Sequence, residues 1–284
     1  MTNSGAFKTK LINLEQVLDD KNPMLRKLMP GFIFRYLKRI IHVDQLNDYL
    51  SNHGHLEGID FIEAVLTEMK VKVDVKGIEN IPVDGNAIIA SNHPLGGLDG
   101  LALMLAVSRV RKDILFPVND ILMNVKNLEP LFIPINKHGS NAQNIQIIND
   151  TFASNHIICY FPFGLVSRKR GNKIMDLEWK STFLTKAKRF KRDVIPTYIE
   201  GRNSNFFYNL SNWRKKLGVK ANLEMLYLVD EFEIQRGQTI TIHFGPKVPW
   251  QSFDKSHTPA QWAELMRKYI YKMGAGNKLP FIAK

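Results

Sequence analysis

Cysteine is almost absent: Cys159 is the only one in 284 residues. No internal disulfide can form, which excludes the small disulfide-stapled scaffolds and fits a reducing compartment. Long apolar runs are equally scarce. The best candidate, residues 101–107, falls far short of the roughly 20 residues that span a bilayer. Residues 1–10 are polar and lack the apolar segment of a signal peptide. If the chain meets a membrane, it is therefore expected to lie on the surface. There is no Gly-x-Ser-x-Gly nucleophile elbow, no internal repeat and no low-complexity tract. Acidic residues are the minority, 27 against 39 basic ones, for a formal charge of +12. Such a surface attracts anionic lipid headgroups, acidic carrier proteins or nucleic acid. The hydrophobic fraction of 44% excludes a mainly disordered chain.

What is present divides into two parts. Residues 1–70 read as a helical, mostly polar N-terminal extension, apart from one segment. There Leu28, Met29, Phe32, Ile33, Tyr36, Leu37, Ile40 and Ile41 recur at helical spacing with Arg26, Lys27, Arg35, Lys38 and Arg39 between them. Pro30 and Gly31 should split this stretch into a short helix and a longer one. A basic amphipathic helix with aromatics suits the lipid interface; it suits docking on its own domain just as well. From residue 71 to 284 the pattern alternates. Strands are expected at 71–75, 87–91, 114–118, 132–135, 157–161, 194–199 and 239–244, and helices at 100–109, 141–154, 177–190 and 259–273. That alternation predicts an α/β domain with a mostly parallel central sheet flanked by helices.

The segment Ser91-Asn92-His93-Pro94-Leu95-Gly96-Gly97-Leu98-Asp99-Gly100 delivers a histidine from a strand end into a turn, just before an apolar helix. Histidine's ordinary pKa of about 6.5 suits proton abstraction near neutral pH. Glycines let the backbone double back so that Asp99 can meet the imidazole. A carboxylate on one ring nitrogen fixes the tautomer and frees the other nitrogen to take a proton. The same residues also suit a purely structural turn and helix cap. Cys159 sits in an expected buried strand, so the base would activate an acceptor's own hydroxyl or amine.

Asn92-His93 followed by Asp99 resembles the first signature of the lysophospholipid and glycerol-phosphate acyltransferase superfamily. Three further segments are similar to its later blocks, in order: residues 131–137 (Leu131-Phe132-Ile133-Pro134-Ile135-Asn136-Lys137), 161–168 (Phe161-Pro162-Phe163-Gly164-Leu165-Val166-Ser167-Arg168) and 194–197 (Val194-Ile195-Pro196-Thr197). The likeness covers about residues 71–207. It implies an O-acyltransferase with His93 as base and Asp99 as its partner, with no metal and no organic cofactor. The donor would be an acyl carrier protein or acyl-CoA thioester, the acceptor a lyso-lipid, and the location the cytoplasmic face of the inner membrane, peripherally bound. Two departures matter. The usual pattern places four residues between His and Asp, and here there are five, which Gly96-Gly97 can absorb. The third block usually carries a Glu where Phe163 stands, which puts a glycerol-phosphate acceptor in doubt. The Phe-Pro-x-Gly-x-x-Ser-Arg form, with residues 200–204 downstream, looks closer to a bacterial subgroup linked to amino-acid lipids. There the acceptor would be the hydroxyl of an acylated amino acid rather than lysophosphatidic acid.

Between residues 165 and 192 ten basic residues face two acids, Asp176 and Glu178, a net +8. Its first members are placed to reach an anionic headgroup, and arginine grips such groups in a bidentate fashion. Ser167 and Arg168 are therefore acceptor-site candidates, together with Gly164, and with Asn136 and Lys137 from the second block. Backbone N–H groups at Gly96, Gly97 or Gly164 are candidates to hold an oxyanion. The later basic residues suit an anionic membrane or an acidic carrier protein. Aromatics follow at Phe206, Phe207, Tyr208 and Trp213, suited to an interface or to a core. His53 and His55 lack the convergent partners of a metal site, and no nucleic-acid-binding motif accompanies the charge. A hydrolase using the same His–Asp pair, with water as acceptor, remains compatible with the sequence.

Overall fold

The computed structural model describes residues 14–21, 23–118, 123, 125–134, 141–277 and 279–282. Among the described residues, five helices come first: α1 (Leu14–Lys21), α2 (Pro23–Leu28), α3 (Gly31–Ile40), α4 (Val43–His53) and α5 (Gly58–Glu68). Pro30 forms the N-cap of α3, so the break between α2 and α3 falls where proline, which cannot supply a helical N–H, dictates.

Seven strands among the described residues then build one sheet: β1 (Lys72–Lys76), β2 (Ala87–Ser91), β3 (Ile114–Val118), β4 (Phe132–Pro134), β5 (Ile157–Tyr160), β8 (Asp193–Ile199) and β9 (Thr239–Phe244). A separate hairpin pairs β6 (Arg168–Arg170) with β7 (Lys173–Met175). The sheet order is β1-β9-β8-β2-β5-β3-β4. Among the described strands every sheet pairing is parallel except β8 with β9. The central strand β2 is buried at all five positions, as a strand covered on both faces must be. β1 lies at an edge, and Lys72, Asp74 and Lys76 face solvent there, charges that discourage edge-to-edge pairing.

The remaining helices are α6 (Gly97–Ser108), α7 (Asn141–Ala153), α8 (Thr182–Arg189), α9 (Asn205–Lys216), α10 (Leu228–Ile234) and α11 (Pro259–Gly274). Because side chains alternate along a strand, Ile89 and Ile195 enter one core with Leu98, Leu103 and Val107 of α6 and with Phe61, Ile62 and Leu66 of α5. Ile88, Ala90 and Val194 enter the other, with Phe183, Trp262 and Met266. α6 is apolar nearly all round, as befits a helix sandwiched between α5 and the sheet. The N-terminal region is thus less polar than its sequence suggests: α5 buries an apolar face within the sheet's own core.

The expected helix at 177–190 is shorter than its pattern. It begins at Thr182 because Lys173–Met175 pairs with Arg168–Arg170, and Asp176 and Trp179 turn inward. The helix expected at 100–109 starts earlier, at Gly97. The basic block divides in the same way. Arg192 is fully buried and donates to the carbonyls of Phe152, His156 and Ala87 at 2.7, 2.7 and 3.3 Å, so it holds the end of α7 to the sheet. Arg168 and Arg214 share the buried carboxylate of Glu224, the former at 3.0 Å. Burial works against that charge, and the Arg214 and Arg168 guanidiniums overcome it, holding the Glu224 carboxyl below the usual range.

Removing Glu224 leaves two buried cations uncompensated. We expect Glu224→Ala to lose about 3–5 kcal/mol of stability, read from the shift in denaturant midpoint; a loss under about 1 kcal/mol would show that the triad is not what fixes the hairpin.

Candidate active site

β2, β5 and β8 run parallel and end at the same edge of the sheet, where crevices of α/β folds collect their ligands. β2 ends in Ser91 and hands the chain to Asn92 and His93. The Asn92 side chain bridges to β8, donating to the Ile199 carbonyl at 2.9 Å and accepting its N–H at 2.7 Å. Both backbone groups of Ile199 are thus satisfied by one buried amide, which locks the start of the turn to the neighbouring strand.

The turn itself rests on Gly96, whose φ of +86° is a conformation that side chains disfavour. It reverses the chain into α6, whose first turn carries Asp99. The result is a contact of 2.9 Å between His93 Nδ1 and Asp99 Oδ1. Asp99 is wholly buried, and its second oxygen accepts the Leu95 N–H at 2.7 Å. The five-residue spacing is therefore accommodated in the turn. Because a carboxylate only accepts, the ring proton sits on Nδ1 and the Nε2 lone pair is left free. The imidazole is 17% exposed and stacks on Phe161, centroids 4.1 Å apart and planes 21° apart.

The third block closes round the back of this turn. Ser167 N–H donates to the His93 carbonyl at 2.7 Å, and Ser167 Oγ donates to Asp176 Oδ1 at 2.6 Å. Asp176 also receives Trp179 Nε1 at 2.8 Å and the His93 N–H at 3.3 Å. Burial pushes the Asp176 carboxyl up, against the pull of its Ser167 and Trp179 bonds. The Asp176 N–H in turn donates to the Tyr271 hydroxyl on α11 at 2.7 Å. Sequence reasoning gave Asp176 no role, because one acid inside a basic stretch looks like a solvated charge. Tyr271 lies 95 residues further along, and no local pattern marks it. Phe161 was visible only as part of a motif.

Other expected site residues are placed differently. Arg168 turns away from an anion-gripping role: it is buried, and its guanidinium donates to Glu224 and to the Val166 carbonyl at 2.6 Å. Gly164 uses its N–H on the Phe161 carbonyl at 3.0 Å, so it is not a free oxyanion donor. The N–H groups of Gly96 and Gly97, at the start of α6, have no hydrogen-bond acceptor among the described residues and belong to the His93 turn. Asn136 and Lys137 lie outside the described residues. Phe163, in place of the family's Glu, is buried in the core on one face of the sheet. Cys159 is buried in β5, and burial pushes its thiol well up; it is no nucleophile. His53 pairs with Glu68 at 2.6 Å and His243 with Glu200 at 2.5 Å. Among the described residues no cluster of three or more His, Cys, Asp or Glu side chains could hold a metal ion, and no helix is long and apolar enough to cross a membrane.

An imidazole paired with a wholly buried carboxylate thus stands at the carboxyl edge of a mostly parallel sheet. A family model described as Acyltransferase matches residues 16–277, and the chain belongs to this acyltransferase family. It is 46% identical over 275 residues to the lyso-glycine lipid O-acyltransferase of Phocaeicola vulgatus, covering 96% of this chain and 98% of that one. The enzyme of the same name from Bacteroides thetaiotaomicron is likewise 46% identical over 275 residues, covering 96% and 100%. The crystal structure of the 1-acyl-sn-glycerophosphate acyltransferase PlsC from Thermotoga maritima is similar at a TM-score of 0.47 and 17% identity, covering 86% of this chain and 93% of that one.

The two turn glycines separate geometry from composition. A Cβ at Gly96 would adopt a positive φ and press on Leu228 at 3.2 Å, whereas one at Gly97 meets nothing within 4 Å. Gly96→Ala is expected to cost about 1–3 kcal/mol and to depress acyl transfer by displacing Asp99. Gly97→Ala should stay within about 1 kcal/mol of the parent. Denaturation midpoints of the two variants check this, and equal midpoints would refute it.

Proposed function

We propose that this acyltransferase moves a fatty acyl group from an acyl carrier protein or acyl-CoA thioester to the hydroxyl of a lyso-lipid, with His93 as general base and Asp99 as the group that orients it. The observation that carries the reading is the 2.9 Å contact between His93 and the wholly buried Asp99. Nε2 takes the proton of the acceptor hydroxyl as its oxygen forms a bond to the thioester carbonyl carbon. Asp99 stabilises the imidazolium that results. The N–H groups of Gly96 and Gly97 receive the tetrahedral oxyanion, a contribution of about 3–4 kcal/mol per donor in comparable sites. The carbon–sulfur bond then breaks, and the thiolate leaves, regaining a proton from His93. No metal or organic cofactor enters these steps.

The acceptor favoured here is an acylated amino acid. Two relatives at 46% identity across nearly the whole chain are lyso-glycine lipid O-acyltransferases by name, and Phe163 stands where a glycerol-phosphate acceptor calls for Glu. Residues 71–284 would hold the catalytic machinery, with α3 of the N-terminal extension as the candidate membrane contact. Phe32 and Tyr36 of α3 are exposed beside Arg35, Lys38 and Arg39. The Tyr36 hydroxyl lies 2.7 Å from that of Tyr227, which packs on Phe206 at 4.9 Å. Phe206 is exposed as well, as are Trp213 and Leu217 at the other end of α9 and Leu226 next to Tyr227 in sequence. An apolar surface rimmed by basic side chains suits an anionic bilayer. The proposed location is the cytoplasmic face of the inner membrane, peripherally bound.

His93→Ala should abolish transfer while leaving the denaturation midpoint near that of the parent. Asp99→Asn should lower kcat by roughly 10³–10⁴-fold, as loss of the orienting carboxylate does in a triad. Near-normal turnover in His93→Ala would overturn the mechanism, and thioester cleavage that needs no lyso-lipid would replace transfer by hydrolysis. For the membrane surface, the doubly reversed Lys38→Glu, Arg39→Glu protein should bind anionic vesicles at least about tenfold more weakly, since each basic group near such a surface contributes about 1 kcal/mol. Unchanged flotation with the vesicles would remove α3 from the interface.

A further inference from the structure

A cavity of about 290 Å³ opens beside the His93 turn, lined by Asn92, Pro94, Ser167, Tyr198, Arg202 and Tyr271 among others. It draws on the two residues that flank His93 and on the end of β8, so it lies against the His93 turn, although the imidazole is not among its lining residues. Pockets for whole drug-sized ligands run to ~300–1,000 Å³, and one at the lower end suits a headgroup better than an alkyl chain.

The polar groups of this cavity sort themselves by what they have left to offer. The Asn92 amide is used on Ile199. Ser167 Oγ donates to Asp176, and the Tyr271 hydroxyl accepts the Asp176 N–H; these fix the wall. Tyr198 is held by edge-on contact with Tyr271, centroids 5.8 Å apart, and its hydroxyl has no hydrogen-bond partner among the described residues. Burial and Glu200 push that phenol up, so it stays a neutral donor. Arg202 uses Nη2 on Asn205 Oδ1 at 2.6 Å, leaving the rest of its fork available. The free groups are therefore donors, and no acid is among the cavity's lining residues. Asp176 stands behind Ser167, already bonded, and Glu200 is paired with His243.

Close packing fixes the position of Arg202. Gly201 has φ of +148°, and a Cβ there would lie 2.9 Å from Leu95. The strand end can approach the His93 turn this closely only because that residue is glycine.

We propose that this cavity is the acceptor's headgroup subsite, in which Arg202 grips the carboxylate of an N-acylated amino acid and Tyr198 donates to it. The assignment rests on the transfer reading above and adds what reads the acceptor. A planar carboxylate matches the guanidinium fork. Arg202 is the one cation among the cavity's lining residues. It balances one negative charge, whereas a phosphate monoester brings about −1.5 to −2 near neutral pH. The small volume excludes a bulky amino-acid side chain more readily than it excludes glycine.

The full-length protein, an acyl thioester donor and three acceptors with the same hydroxyacyl chain test this: the N-acylglycine, its methyl ester and the corresponding lysophosphatidic acid. With the parent enzyme the ester should show a KM about ten- to a hundredfold above that of the acid, the usual cost of losing a charge-assisted hydrogen bond. Arg202→Gln should raise KM for the acid by a similar factor with kcat changed only a few-fold, and should not affect KM for the ester. Tyr198→Phe should move KM in the same direction by a smaller factor. An Arg202→Gln KM equal to the parent's on the acid, or equal use of acid and ester by the parent, would overturn the subsite and leave the transfer reading intact. Preference for lysophosphatidic acid would overturn the carboxylate assignment. Transfer to none of the three by the parent enzyme would bring down the transfer reading itself, and the subsite with it.

Discussion

The contact between His93 and Asp99 depends on a reversal of the chain that one residue makes possible. Gly96 takes a positive φ, and α6 begins at the next residue. The helix's first turn then places Asp99 where one oxygen meets the imidazole and the other meets the Leu95 N–H. A negative side chain at a helix N-terminus is favoured by the helix dipole, which helps an ionised group survive complete burial. The ring is steadied from three directions: by Asp99 at Nδ1, by Phe161 across its face, and by Ser167 and Asp176 on its backbone. What is left is one nitrogen with nothing to do inside the fold.

Three of the four buried carboxylates among the described residues organise the surroundings. Asp99 holds the His93 imidazole at Nδ1. Asp176 gathers Ser167, Trp179 and the His93 N–H into one knot behind the turn. Glu224 holds Arg168 and Arg214 and so ties the β6–β7 hairpin to α9. Burying charge is costly unless it is paired or hydrogen-bonded, and each of these acids has two or more donors. The arrangement keeps the carboxyl edge of the sheet rigid and makes the position of His93 relative to the neighbouring cavity a property of the fold.

The basic block shows how misleading a charge count can be. Its net +8 reads as one positive surface, yet Arg168 and Arg192 are interior residues. Arg192 satisfies backbone carbonyls at the end of α7, and Arg168 serves the Glu224 pair. The cation that lines the cavity beside the His93 turn is instead Arg202, outside that block, because the chain after β8 packs on that turn through Gly201. Meanwhile Tyr36 of α3 and Phe206 of α9, joined through Tyr227, come together although Tyr36 and Tyr227 are 191 residues apart.

Local pattern alone determined the alternation of strands and helices, the buried centre of β2 and the break at Pro30, since each follows from side-chain period or from proline's missing N–H. It also determined that His93 and Asp99 should meet, because strand, turn, glycines and helix are contiguous. Where β6 and β7 pair, where α8 starts, and which charges are interior were decided by the tertiary structure. So were the knot at Asp176 and the reach of Arg202. These arise between residues distant in sequence, where burial and partner choice set the outcome, and a one-dimensional charge or hydropathy pattern holds no record of which side chains the folded sheet will bring face to face.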